Sequence, residues 1–270
     1  MSRLPAWSEA FAAGSLPDLP ALPFDDARDW AFGGSTGAGV SVAIVDSGVD
    51  SDHPAVGGVA SAVAMEPDDS EDGFRAVEGT HEDLVGHGTA CAAIVRSLAP
   101  DVELHSVRVL GSNLKGRGLL FHAGIRWAVD HGFDVANLSL SSKSDAMFGP
   151  LHDIADRAYF AGTVLVCAAN NQPGPTYPSE YASVVSVAAR PGNDPWLLSC
   201  NPQPPVEFGA RGIDVTVAWS GGGSTVATGN SFAAPHVAGM AALIRSKHPG
   251  LAPYQVKAVL QAVSDNAAAR

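Results

Sequence analysis

Cysteine is scarce: Cys91, Cys167 and Cys200 are the only three in 270 residues. They allow at most one disulfide with a thiol left over, and their scatter fits no zinc pattern, so reduced thiols in a cytoplasmic protein are the simplest account. Basic residues are also few. Sixteen Lys and Arg face twenty-eight Asp and Glu, giving a formal charge of −12, which argues against nucleic acid and against anionic membrane surfaces as partners. No window approaches the ~18 apolar residues of a membrane span. Arg3 is followed by no apolar stretch, so no export signal is visible and a cytoplasmic location is expected. No internal repeat is apparent. What remains is a chain with 46% hydrophobic residues, long enough for one large core and suited to a globular domain.

Residues 1–38, rich in Pro, Ala and Asp, are expected to form an arm anchored on the main body by Trp7, Trp30 and Phe32, with a single domain over 39–270. The run Val40-Ser41-Val42-Ala43-Ile44-Val45 has the short, β-branched character of a buried parallel strand, and it ends at Asp46-Ser47-Gly48. A carboxylate thus sits at a strand's C-terminal end, the edge of an open α/β sheet where ligands collect. Residues 61–83 hold eight acids and one base, Arg75, without periodicity, and read as a solvated loop. Helices are predicted over 90–98, 119–131 and 145–161, and strands over 102–110, 135–140, 163–168 and 184–189. After Ser231, helical runs extend to about Lys247 and over 253–264, the second with Pro253 in its first turn. Strands alternating with helices indicate parallel βαβ units. The predicted fold class is α/β, a three-layer αβα sandwich with a mainly parallel sheet.

The stretch Gly229-Asn230-Ser231-Phe232-Ala233-Ala234-Pro235-His236 joins a Gly-rich loop to an Ala-rich helix. Its serine is either an ordinary N-cap or a nucleophile at a helix N-terminus, where free N–H groups and the dipole favour an anion. Two other windows match it in kind, Asp46-Ser47-Gly48 and His87-Gly88-Thr89. With their order Asp, His, Ser, the chain resembles the subtilisin-like serine proteases from about Gly37 to Leu260. Val109-Leu110-Gly111 with Gly116 and Gly118, Asn137-Leu138-Ser139-Leu140, and Tyr177-Pro178 fall where that family has such pieces.

The resemblance implies a serine endopeptidase in which Ser231 attacks, His87 moves the proton and Asp46 orients His87. It implies an oxyanion held by the Ser231 N–H and by Asn171, when Ala168-Ala169-Asn170-Asn171 is aligned on the Ala pair and Tyr177-Pro178. Asn170 then stands where a pocket glycine is usual, and Ser141 replaces another. An extended substrate would add as a strand between Ser139, Leu140 and Ser141 on one side and Gly116, Arg117 and Gly118 on the other. Asp83 would border a further pocket and favour a basic residue, against the plainer reading of an exposed loop carboxylate. Cys91 matches the free cysteine of the proteinase K-like branch and reads as a small buried apolar residue. Tyr177-Pro178 is a candidate cis bond, and His236 a structural histidine.

Two other readings of the same residues stay open. Asn170, Asn230 and Phe232 replace residues usual near the site, which suits a pseudoprotease that only binds peptides; the same acyl-enzyme would also serve a transpeptidase. No cofactor is expected. Ala55 holds the position of a calcium-binding Asp, and Arg96 to Val102 lacks the loop that supplies the other ligands in many relatives, so the common calcium site is expected to be absent; the acidic residues 66–83 offer at most a weak site for a hard cation. The partners expected are a peptide or protein substrate of narrow range, with a folding or inhibitory partner in place of a pro-domain, for which the arm is too short.

Overall fold

The computed structural model describes residues 4–11, 16, 26–113 and 118–267. Its centre is β1 (Ser41–Asp46), five of whose six residues are buried. Buried on both faces, this strand needs cover on both sides, and the sequence supplies it: Val42 and Ile44 point into one apolar cluster, Ala43 and Val45 into another. The strands that follow are β2 (Ser61–Pro67), β3 (Phe74–Glu78), β4 (Glu103–Arg108), β5 (Val135–Leu138), β6 (Val164–Ala168), β7 (Val185–Arg190), β8 (Leu198–Cys200) and β9 (Phe208–Arg211). They form one sheet in the order β3-β2-β4-β1-β5-β6-β7-β9-β8. Only the edge strands β3 and β8 run antiparallel to their neighbours. Strand β1 pairs in parallel with β4, Asp46 opposite Arg108, and with β5, Val45 opposite Leu138. A separate hairpin, β10 (Val215–Trp219) and β11 (Gly223–Ala227), completes the strands.

One face of the sheet is covered by α2 (His87–Leu98) and α5 (Asn230–Lys247), the other by α3 (Gly118–Asp130) and α4 (Phe148–Ala161). The three-layer αβα architecture predicted from the alternation of strands and helices is therefore the one observed. Helix α5 is buried along its first fifteen residues, as an Ala-rich helix without a polar face must be. The short α1 (Ala27–Phe32) and the C-terminal α6 (Pro253–Ala262) pack on the α2/α5 side. All three cysteines are free and buried, and no helix among the described residues is long and apolar enough to cross a membrane.

Residues 61–83, expected as a solvated loop, instead contain the β2–β3 hairpin. Val63, Ala64 and Met65 are buried against the sheet, and Glu66 bonds Arg75 at 3.0 Å and Arg108 at 3.5 Å. The acids dominate the composition, while three apolar residues decide the conformation.

The described parts of residues 1–38 lie on the body. Trp30 stacks on His248 and Phe32 on Trp196, but the deepest anchor is one the sequence reading missed. Phe11, 2% exposed, closes a 3-10 turn over Ser8–Phe11 and packs with Ala169, Ala188 and Val206.

Helix α2 runs unbroken to Leu98, and the chain enters β4 at Glu103. In this corner the Arg96 guanidinium gathers four backbone carbonyls: Val56 at 2.9 Å, Pro100 and Val102 each at 2.7 Å, and Gly58 at 3.4 Å.

Candidate active site

The C-terminal ends of β1, β5 and β6, adjacent in the sheet, bring Asp46, Ser139 and Ala168 to one edge. His87 opens α2 and Ser231 stands in the first turn of α5 above that edge. His87 and Ser231 line one cavity of about 370 Å³ with Leu140, Ser141, Asn170 and Asn171.

Asp46 is fully buried, and its Oδ1 accepts the Ser47 N–H at 2.7 Å and His87 Nδ1 at 2.8 Å. A carboxylate can only accept, so Nδ1 carries the hydrogen and Nε2 keeps its lone pair. Burial works to lower the pKa of His87, but the charge and hydrogen bond of Asp46 outweigh it and the net shift is upward from 6.5. If His87 acts as a base it must be neutral, so kcat/KM should rise with pH to a plateau through a midpoint above 6.5. A pH series with a peptide anilide checks this, and a midpoint below that value would mean that burial, not Asp46, governs the ring.

Ser231 is held from below by an arrangement that Pro235 makes necessary. Proline has no N–H, so the carbonyl four residues back, that of Ser231, loses its helical partner. The Ser139 hydroxyl donates to it at 2.8 Å and the Cys91 thiol lies at 3.6 Å. Asn137 Nδ2 in turn donates to Ser139 Oγ at 2.9 Å. The Ser139 hydroxyl is thus spent on supporting the serine's backbone, while the residue still lines the cavity. Burial, with the Asp46 charge behind it, pushes the Cys91 thiol well above its usual range, which keeps it neutral and suits the small buried residue expected there. Burial likewise brings His236 down to about 4, and its Nδ1 bonds the Phe232 carbonyl at 2.9 Å; it is a neutral packing group. The Phe232 ring leans on His87 with centroids 5.2 Å apart.

Asn171 follows β6 with its side chain oriented. Its Oδ1 accepts the Asn230 N–H at 2.8 Å, which points Nδ2 elsewhere. Measured from the spot where a Cβ on Gly229 would sit, Ser231 Oγ is at 3.2 Å and Asn171 Nδ2 at 3.4 Å. A hydroxyl and an amide donor therefore flank the same bare glycine. Asn170 also faces the cavity, its Oδ1 accepting the Gln172 N–H at 2.9 Å and its own N–H donating to Thr176 at 2.7 Å. The Tyr177-Pro178 peptide is cis.

Asp83 is half-buried, not an exposed loop carboxylate, and it lines a cavity of about 570 Å³ with Asp50, Asp52, His81 and Glu82. Its oxygens are engaged inward: Oδ1 accepts Ser47 Oγ, Val85 N–H and Gly86 N–H at 2.8 to 3.0 Å, and Oδ2 accepts the N–H and hydroxyl of Thr89 at 2.8 and 2.6 Å. Burial alone would push its pKa up, yet these donors leave it below the ordinary value. Asp83 is the cap that fixes the entrance of α2, and so the position of His87. Gly118 opens α3 with its Cα facing the Met147 side chain and is not among the described residues lining the Ser231 cavity. Gly116 and Arg117 lie outside the described residues.

Residues 37–269 match the model of the subtilase family, peptidase S8. The chain is 34% identical over 248 residues to subtilisin DY of Bacillus licheniformis, covering 86% of each. To subtilisin E of Bacillus subtilis it is 35% identical over 243 residues, 86% of this chain and 62% of that protein's length. Among solved structures, a cold adapted subtilisin-like serine proteinase superposes with a TM-score of 0.68 at 27% identity, covering 90% of this chain and 88% of that one. Sphericase, at 23% identity and a TM-score of 0.70 over 96% of this chain and 90% of its own, shares the fold. The chain belongs to the subtilase family, the subtilisin-like serine endopeptidases.

Proposed function

We propose that the chain cleaves peptide bonds through an acyl-enzyme on Ser231. The observation that supports this best is the pairing of Asp46 and His87 at 2.8 Å in the cavity edge that also holds Ser231 and Asn171. An alcohol is a poor nucleophile near neutral pH, so Ser231 transfers its proton to His87 Nε2 as its oxygen attacks the carbonyl carbon. Asp46 stabilises the imidazolium that results. The tetrahedral oxyanion is held by the Ser231 N–H and Asn171 Nδ2, a donor of the kind worth about 2.7–4 kcal/mol at the transition state. His87 then returns the proton to the leaving amine, and water releases the acyl group by the same steps. A fluorophosphonate probe tests the reading: Ser231 should be labelled, and labelling should vanish in His87→Ala. An unlabelled wild-type serine would overturn it.

The substrate range in this proposal is narrow, a peptide or protein precursor. Asn170 and Ser141 support it, since both line the cavity at positions where the resemblance expects glycines. A cleavage profile over a peptide library tests this, and a broad profile would sink it.

The proposal includes no resident calcium at the common family position. The residues there do not fit the ion: Ala55 offers no carboxylate, and the Arg96 guanidinium already occupies the centre of a ring of carbonyls. Chelation by EDTA should leave the urea midpoint unchanged, whereas Arg96→Met should lower stability by about 2 kcal/mol by stripping those carbonyls of a charged donor. A midpoint that falls with EDTA would contradict the first statement, and an unchanged midpoint in Arg96→Met the second.

A further inference from the structure

Asn230, next to Ser231, is fully buried and makes more polar contacts than any helix cap requires. Its Oδ1 accepts the Ala189 N–H of β7 at 2.9 Å. Its Nδ2 lies 3.1 Å from the carbonyl of Ala169, 3.3 Å from that of Asn170 and 3.1 Å from that of Ala6. The first two belong to the segment that ends in Asn171. The third belongs to the arm, more than two hundred residues away in sequence.

The Ala6 peptide is held from its other side as well, since its N–H donates to the Asn171 carbonyl at 3.0 Å. Ala6, Asn171 and Asn230 therefore form a closed ring, completed by the bond from the Asn230 N–H to Asn171 Oδ1. One bond of the ring holds the Asn171 side-chain amide, a second holds its backbone carbonyl, and the third ties Asn230 to Ala6. A cavity of about 550 Å³ lies between the arm and the loop after Asn171, lined by Leu4, Trp7 and Glu9 on one side and Gln172 and Pro173 on the other. Among the described residues, the backbone hydrogen bond that joins the arm to this segment is the one from Ala6 to Asn171.

Two features show that the arm is held in this pose rather than draped. The Phe11 ring sits on the bare Cα of Gly209, where a Cβ would come within 2.5 Å of its Cγ. Trp7, the residue after Ala6, is kept at φ 73, a left-handed conformation that a bulky side chain adopts only when its surroundings impose it.

We propose that residues 4–11 are a positioning part of the active site: seated by Phe11, they present Ala6 to Asn171 and Asn230 and so set the oxyanion donor. Turnover then depends on whether the arm is seated, which makes the arm a place where the activity can be controlled. This rests on the reading of Asn171 as an oxyanion donor.

The test is a double-mutant cycle on the full chain, with kcat and KM measured on a peptide anilide well below the melting temperature. Phe11→Ala in the wild-type background should lower kcat at least about tenfold with KM nearly constant, because a donor displaced by a fraction of an ångström acts mainly on the transition state. In an Asn171→Ala background the same change should cost less than about twofold, the donor it acts through being gone. An equal loss in both backgrounds, or no loss in either, overturns the proposal. If Phe11→Ala does not fold, Phe11→Leu is read by the same criterion. Fluorophosphonate labelling of the unmodified chain separates the two levels: no label fails the hydrolase reading itself, whereas label with undiminished turnover in Phe11→Ala fails only the role of the arm.

Discussion

Ser231→Ala is expected to lower kcat by about 10⁶ while leaving the fold intact, the size of loss that removing the serine or histidine of such a triad produces in a subtilisin. The change deletes one oxygen from a side chain 9% exposed, and the hydrogen bonds that locate the residue run through its backbone carbonyl, to Ser139 and Cys91. The melting temperature should therefore hardly move. His87→Ala should cost about as much in kcat, and the double variant no more than either alone, because in the proposed mechanism the two act in one proton transfer. The histidine variant should differ in stability. Asp46 is fully buried, and without His87 its Oδ1 retains the Ser47 N–H alone, a carboxylate left short of partners in a dry site. Progress curves with a peptide anilide at high enzyme concentration give the residual rates, and thermal unfolding gives the contrast. Activity in Ser231→Ala within about tenfold of wild type would remove the serine from the mechanism.

How much of this was legible in the sequence depends on whether side chains or backbone do the work. Strand β1 and helix α5 announce themselves, one by a β-branched run and the other by a small-residue stretch too apolar to sit on a surface. The Asp, His and Ser windows could be ordered along the chain, and the sheet then brings them to one edge. Where the sequence misled, a strong local signal hid a weaker decisive one. The acids of residues 61–83 masked Val63 and Met65, and Gly221 and Gly222 masked the hairpin of β10 and β11. Asp83 looked like a free carboxylate, although an Asp shortly before an apolar helix is also a capping signal, and its donors are mostly backbone N–H groups that no composition reveals. The clasp on Ala6 was invisible for the same reason, since its partners are carbonyls and an N–H from segments distant in sequence.

Gly88→Ala is expected to be the most damaging single methyl group in the protein. Helix α2 meets the loop after β1 at this residue, and the approach is closer than any side chain permits. An added Cβ would overlap the carbonyl oxygen of Gly48 and come within 3.1 Å of that carbonyl's carbon and 3.2 Å of Asp46 Cβ. The obstacles are backbone and the root of the Asp46 carboxylate, so no rotamer change relieves the overlap; either α2 or the Asp46 loop must move. The Gly88 N–H also donates to Ser47 Oγ at 3.1 Å, and that hydroxyl donates in turn to Asp83, so a shift disturbs the entrance of α2 together with the Asp46–His87 pair. Overpacking of this kind costs roughly 3 kcal/mol or more, a large part of the stability of a single domain. The folded fraction should in addition lose at least about a hundredfold in kcat, because His87 is the neighbouring residue and cannot keep its 2.8 Å bond to Asp46 if the helix slides. Urea unfolding and active-site titration with the fluorophosphonate separate the two losses. The decisive outcome is a variant that folds with an unchanged midpoint and full turnover, which would mean that α2 and the Asp46 loop are not in the contact described and that the histidine is positioned by something else.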